Sequence, residues 1–203
     1  MHSKLVTAAL LGALAASPAL AAPKDDAATA GFKASFRDKN EATVERLEQS
    51  EAQRLCTQDG QRPLKAAARK KIEAQAAAGV AYPADGNYLG DWKEGEKIAQ
   101  SGRGMQSSDP KGTAAGGNCY ACHQLDKKEI AFGNIGPSLH NYGKLRGGPT
   151  PEMLKYTWAK VYNSHAFQAC SVMPRFGAAG ILTEKQLKDV MSLLLAPESP
   201  VNQ

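Results

Sequence analysis

The sequence predicts an all-α protein, on three observations. Alanine is abundant while runs of Val, Ile and Phe are few, a balance that favours helix over sheet. Apolar–polar alternation at the strand period is nearly absent, whereas apolar residues recur at helical spacing in several stretches. Helix-start chemistry precedes the most periodic of these. Apolar residues make up 42% of the chain, enough for one core, and aromatics only 6%, which argues against a large aromatic-lined cleft.

Residues 1–21 read as a secretory signal peptide. Lys4 sits in a short n-region, an apolar run follows over 5–16, and Ser17-Pro18-Ala19-Leu20-Ala21-Ala22 supplies a small-residue cleavage site, best cut after Ala21. The run is too short to span a bilayer comfortably, which takes about 20 apolar residues. The expected compartment is the periplasm, and no other segment is apolar enough to cross a membrane.

Residues 22–86 read as an N-terminal extension, partly helical. Its lead-in over 23–40 is rich in Ala, Lys and Asp and reads as flexible. A helix is expected over 41–58, with Val44, Leu47 and Leu55 near one face, broken by Asp59-Gly60. A second is expected over 63–78, ending at Gly79, before the turn chemistry of Tyr82-Pro83-Ala84-Asp85-Gly86. With few large apolar residues, the extension is expected to lie on another surface rather than fold alone.

Residues 87–203 carry denser signals. Asp91 reads as an N-cap with Glu94 three residues on, a variant of the capping box, and Trp92, Gly95, Ile98 and Ala99 follow at helical spacing. Gly95 inside a helix costs about 1 kcal/mol relative to Ala, which close approach by another helix would offset. Residues 102–118 form a Gly/Ser-rich loop. Thr150-Pro151-Glu152 starts a helix with Pro at its first position, running to about Tyr162. Thr183-Glu184-Lys185-Gln186 is a capping box opening the last helix. There Leu187, Val190, Met191 and Leu194 form an i, i+3, i+4, i+7 stripe, and Pro197 stops it.

The formal charge is +5 and the pI near 9.0. Lys and Arg are scattered among Asp and Glu, with no basic stripe bearing stacking aromatics, which argues against nucleic-acid binding. The positive surplus suits docking to an acidic partner.

Cys119-Tyr120-Ala121-Cys122-His123 is the C-x-x-C-H signature of c-type haem attachment. Two thiols add across the porphyrin vinyl groups, the two intervening residues let one turn present both sulfurs, and the next imidazole reaches the iron from the same face. About 0.0015 chance matches are expected from this composition, so coincidence is a poor explanation. A zinc site would need two further comparably spaced ligands, and a thioredoxin-like site a βαβ context; neither is present. The expectation is one haem c on Cys119 and Cys122, with His123 as an axial ligand, in a fold of helices packed around that group.

A low-spin electron carrier needs a second axial ligand, and the candidates are Met105, Met153, Met173, Met191, His140 and His165. Met153 and Met191 sit on helical stripes and read as core. Met173 stands in Ser171-Val172-Met173-Pro174-Arg175-Phe176-Gly177, where Pro174 stiffens an irregular loop and pushes Met173 toward an extended conformation. A thioether suits an electron-carrier iron and raises its potential, which favours Met173. A ligating His also needs an acceptor for its other ring nitrogen. By resemblance to small c-type cytochromes, whose Gly-Pro-x-Leu turn supplies it, Pro137 takes that role and Leu139 packs on the haem.

Cys56 and Cys170 remain. In an oxidising compartment an intramolecular disulfide is the expectation, tying the extension to the Met173 loop; a free or partner-bonded thiol is the alternative. Arg175 is a candidate for a haem propionate or partner contact.

The C-terminal half resembles SoxX, the monohaem subunit of the SoxAX cytochromes of bacterial sulfur oxidation. The likeness covers about residues 88–203. It rests on Gly117-Asn118-Cys119-Tyr120-Ala121-Cys122-His123, the Gly133–Leu139 segment, Met173-Pro174-Arg175-Phe176-Gly177, Gly180-Ile181-Leu182-Thr183, and the ending Leu194-Leu195-Ala196-Pro197-Glu198-Ser199-Pro200-Val201-Asn202. The extension lies outside it. The resemblance implies a small cytochrome c fold and a SoxA-type partner subunit. It implies a share in an L-cysteine S-thiosulfotransferase, in which thiosulfate is coupled oxidatively to a cysteine of the SoxYZ carrier. Electrons would pass from SoxA through this chain to a small cytochrome c acceptor. This chain shows no second haem motif and no nucleophile of its own, so its implied role is electron transfer. The alternatives are a free-standing periplasmic cytochrome c and, with an open sixth site, a haem-based gas sensor.

Overall fold

The computed structural model describes residues 27–58 and 64–203. The signal peptide and the Asp59-Gly60 break lie outside the described residues. Two units are distinct, one up to residue 36 and one over 37–203. In the first, α1 (Ala27–Ser35) is a helix where the sequence reads as flexible lead-in. Its Ala-rich composition carries helix propensity, and the Phe32 and Phe36 rings pack at 4.7 Å between centroids.

The regular secondary structure of the second unit is helical, joined by long irregular segments, with no strand among the described residues and one isolated bridge, Lys39 to Ala42. The single helix expected over 41–58 is divided into a 3-10 turn, Val44–Leu47, and α2 (Glu51–Gln58). Ser50 causes the division. Its amide donates to Gln53 Oε1 and its hydroxyl accepts from the Gln53 amide, a reciprocal cap that starts a new helix. The next helix, α3 (Ala66–Ala78), ends at Gly79 as expected and buries only Ile72 and Ala76. Beyond it the Trp158 indole donates to the Ala81 carbonyl at 2.8 Å, and Lys188 pairs with Asp85 at 2.9 Å.

The core forms where α4 (Trp92–Gln100), α6 (Pro151–Tyr162) and α7 (Glu184–Leu195) meet, with the short α5 (Tyr142–Leu145) beside α7. Asp91 caps α4 by accepting from the Lys93 amide, while Glu94 pairs with Lys97 instead of reaching back. Thr150 with Pro151 opens α6, and the full Thr183–Gln186 capping box opens α7. Trp158, Val161, Leu187, Val190, Met191 and Leu194 fill the interior. Helix α7 is buried beyond one stripe, because Leu193 and Leu195 are covered as well. The terminal 3-10 turn, Pro200–Asn202, and α5 pack there. No helix among the described residues is long and apolar enough to cross a membrane.

Candidate functional site

Cys119 opens a 3-10 turn, Cys119–Ala121, that Cys122 caps. The amides of Cys122 and His123 both donate to the Cys119 carbonyl, at 3.1 and 2.9 Å, so the three side chains leave one tight coil of backbone. Two bonds hang this coil from the end of α4: Gly117 N–H to Ile98 O at 2.8 Å and Asn118 N–H to Ser101 O at 2.9 Å. Tyr120 and Leu125 are buried and peg it into the core. Both thiols are free. Burial pushes the Cys119 thiol up, to about 12, the opposite direction from the depressed value of a catalytic redox thiol.

Residues 133–139 lie along this coil. Gly133 N–H donates to Tyr120 O, Gly136 N–H to Cys122 O and Leu139 N–H to Gln124 O, at 2.7–2.8 Å. The register sets the Pro137 carbonyl 2.7 Å from His123 Nδ1. A carbonyl only accepts, so Nδ1 carries the proton and Nε2 is the nitrogen available to a metal. Gly136 makes the approach possible: a Cβ there would stand 2.1 Å from His123 Cε1.

Met173 is half-buried and packs against the same core as Cys119, Leu139, Tyr162 and Ile181. Its backbone is fixed on both sides. Ser164 Oγ donates to the Met173 carbonyl at 2.7 Å, and the Met173 amide donates to Ser171 Oγ at 3.3 Å. Downstream, Phe176 is buried, and the Gly177 and Ala178 amides donate to Tyr162 O. Arg175 is half-buried.

Two of the other candidates are core residues. Met191 is fully buried in α7, and Met153 packs on the core from α6. Met105 lies in the loop over 102–118, where its amide donates to Asp109 and its carbonyl accepts from Arg46. His165 is buried, and its Nε2 donates to Ser171 O at 3.2 Å. Burial, reinforced by the charge of Arg175, holds its pKa below the usual histidine value. His140 Nε2 accepts from the Asn141 side-chain Nδ2 at 3.1 Å, and its Nδ1 is buried without a partner among the described residues.

Cys56 and Cys170 form a disulfide that joins α2 to the segment leading to Met173. Two neighbours of that segment gave no sequence signal. Glu73 is one of many polar residues on α3, yet its carboxylate accepts from the Ala169 amide at 3.1 Å. Ser164, which anchors the Met173 carbonyl, sits in a 3-10 turn, Ser164–Ala166, too short to leave a pattern.

The donor chemistry of this region fits a covalent haem. It offers two free thiols on one coil, an imidazole whose Nδ1 is committed so that Nε2 is free, and a thioether on a fixed loop over the same core. No protein-family model matches the chain. Among known proteins it is similar to an uncharacterised lipoprotein of Aquifex aeolicus (strain VF5), at 34% identity over 211 aligned residues, covering 100% of both chains.

Proposed function

The chain belongs to the same family as this Aquifex lipoprotein, and from that premise we propose that it is an exported monohaem c-type cytochrome that relays electrons. The observation that carries the reading is the C-x-x-C-H coil with His123 Nδ1 at 2.7 Å from the Pro137 carbonyl. That bond fixes the tautomer and the ring plane and raises the basicity of Nε2. When bound, haem supplies a one-electron iron couple at neutral pH. Cys119 and Cys122 would hold the group through two thioether bonds, His123 and Met173 would supply ligands to its iron, and a thioether ligand would favour the reduced state. Leu139, Tyr162 and Ile181 pack with Met173 against the core and would give the group an apolar surface.

The resemblance to SoxX refines this to a subunit that passes electrons from a SoxA-type partner during thiosulfate conjugation to SoxYZ. Export is supported by the signal sequence and by the relative's description as a lipoprotein. The signal sequence favours the periplasm, with cleavage after Ala21.

Expression with a c-type haem maturation system tests the reading. Peptide mass should gain one haem on the segment containing Cys119 and Cys122, and the pyridine haemochrome should show two thioethers. Absence of covalent haem would overturn it. Thiosulfate-dependent reduction of this chain's haem in the presence of SoxA and SoxYZ tests the subunit role. A haem that stays oxidised while conjugate forms leaves only the free-standing carrier.

A further inference from the structure

Two successive residues ahead of Met173 are held by two different helices of the extension. The Ala169 amide donates to Glu73 Oε1 of α3 at 3.1 Å, and Cys170 is bonded to Cys56 of α2. Between them and Met173 stand only Ser171, whose carbonyl accepts from His165, and Val172, which is 81% exposed and contributes little anchorage; Ser164 holds the Met173 carbonyl from the other side. Cys170 has a φ of +62°, a left-handed conformation that a residue with a Cβ keeps only when its surroundings over-determine it. None of residues 51–57 is fully buried, and the disulfide ties α2 covalently to this segment. A cavity of about 290 Å³, lined by Gln49, Gln53, Thr57, His165 and Ser171, opens onto both cysteines, each only half-buried.

On the haem reading given above, we propose that the extension is a two-point clamp keeping the Met173 thioether engaged, and that thiol–disulfide exchange at Cys56–Cys170 opens the second axial position to small diatomic ligands. Glu73 and Cys56 are positioning residues in this device. The reductant is a small dithiol. One of its thiolates attacks a sulfur of the bridge to form a mixed disulfide, and its second thiol displaces that sulfur. The dithiol leaves oxidised by two electrons, and Cys56 and Cys170 each end as a protonated thiol. The thioether bonds at Cys119 and Cys122 contain no S–S bond and are untouched, so the haem stays attached.

The experiment uses holoprotein reduced with ascorbate, which spares disulfides, and follows carbon monoxide binding by the Soret band. The near-infrared charge-transfer band of the oxidised form is the second readout. Met173→Ala defines the fully open state. Dithiol treatment verified by two new free thiols, and separately Cys56→Ser with Cys170→Ser, should each speed carbon monoxide binding at least tenfold and weaken the charge-transfer band. Glu73→Gln should give a smaller change in the same direction. The dithiol arm acts on already folded protein, which covers failure of the double variant to fold. Equal binding rates before and after verified reduction, with a fast Met173→Ala, would overturn the clamp and leave the haem reading standing. A Met173→Ala variant no faster than the parent removes the ligand assignment and the clamp together. Lack of covalent haem removes the function itself.

Discussion

Gly95 of α4 lies directly on the backbone of Asp189 of α7: a Cβ at Gly95 would stand 2.2 Å from the Asp189 carbonyl oxygen. The crossing is sealed around this contact. Asp189 is buried, accepts from the Asp91 amide at 2.9 Å and pairs with Lys185 at 2.8 Å, while Ser192 Oγ bonds both the amide and the carbonyl of Gly90. Gly95→Ala would gain about 1 kcal/mol of helix propensity. It must also push two helix backbones apart, an overpacking that costs about 1–3 kcal/mol and more where backbone is the obstacle. The expected outcome is a net loss of about 2 kcal/mol, measured as a lower urea midpoint at unchanged m-value.

A second stabilising knot lies at Asn202. Its Oδ1 accepts from the amides of Gly143 and Lys144, and its Nδ2 donates to the carbonyls of Leu194 and Ala196, joining α5, the end of α7 and the terminal turn. The side chain is buried, so truncation strands donors and acceptors away from water. Asn202→Ala should cost about 2–4 kcal/mol on that ground. Asn202→Asp keeps the acceptor but places carboxylate oxygen against two carbonyls, so it should be no better. Urea unfolding of both variants checks this.

The helices that were legible in the sequence are those with capping chemistry. Asp91, Thr150-Pro151 and Thr183-Gln186 each open a helix where expected, because a cap is a local device that needs no tertiary context. Gly95 signalled a close helix crossing but not its partner, since Asp189 comes from the far end of the chain. The division at Ser50 was missed because Val44, Leu47 and Leu55 fit one helical face while the Ser50–Gln53 cap outcompetes it. In the site, the coil at Cys119–His123 and the Cys56–Cys170 pairing were readable from residue type. The grips of Glu73 and Ser164 were not, because a carboxylate or hydroxyl that bonds a distant backbone leaves no spacing to read.

The loop over 102–118 should loosen in acid. Asp109 is buried, and its Oδ2 accepts from the amides of Gln106, Gly104 and Met105, with Arg103 nearby at 3.8 Å. These bonds, the Gln106 amide first, hold its pKa below the usual carboxylate value of 3.8. A depressed folded pKa means the stabilisation is fully present above the unfolded value and is lost as pH falls through the folded one. Amide exchange at Gly104, Met105 and Gln106 should therefore be protected at pH 5 and rise, relative to the pH trend of neighbouring core amides, below about pH 3.8. Asp109→Asn should show the unprotected rates at both pH values.

Gly136 is the most exacting test of the attachment site. Its Cα faces the His123 ring so closely that a methyl group would meet Cε1 at 2.1 Å and Nδ1 at 2.4 Å. The ring cannot yield without breaking its bond to the Pro137 carbonyl, and the backbone cannot yield without breaking Gly136 N–H to Cys122 O. Gly136→Ala therefore tilts the imidazole or opens the coil that carries both thiols. On the haem reading, the expected outcome is a lower fraction of chain carrying covalent haem and a shifted Soret band in what remains. Loss of one neutral hydrogen bond would cost only about 1 kcal/mol, so global stability should fall far less than haem content. Parallel pyridine haemochrome and thermal unfolding measurements separate the two. A variant with full haem content and an unshifted spectrum would show that the His123 ring is not positioned by this contact.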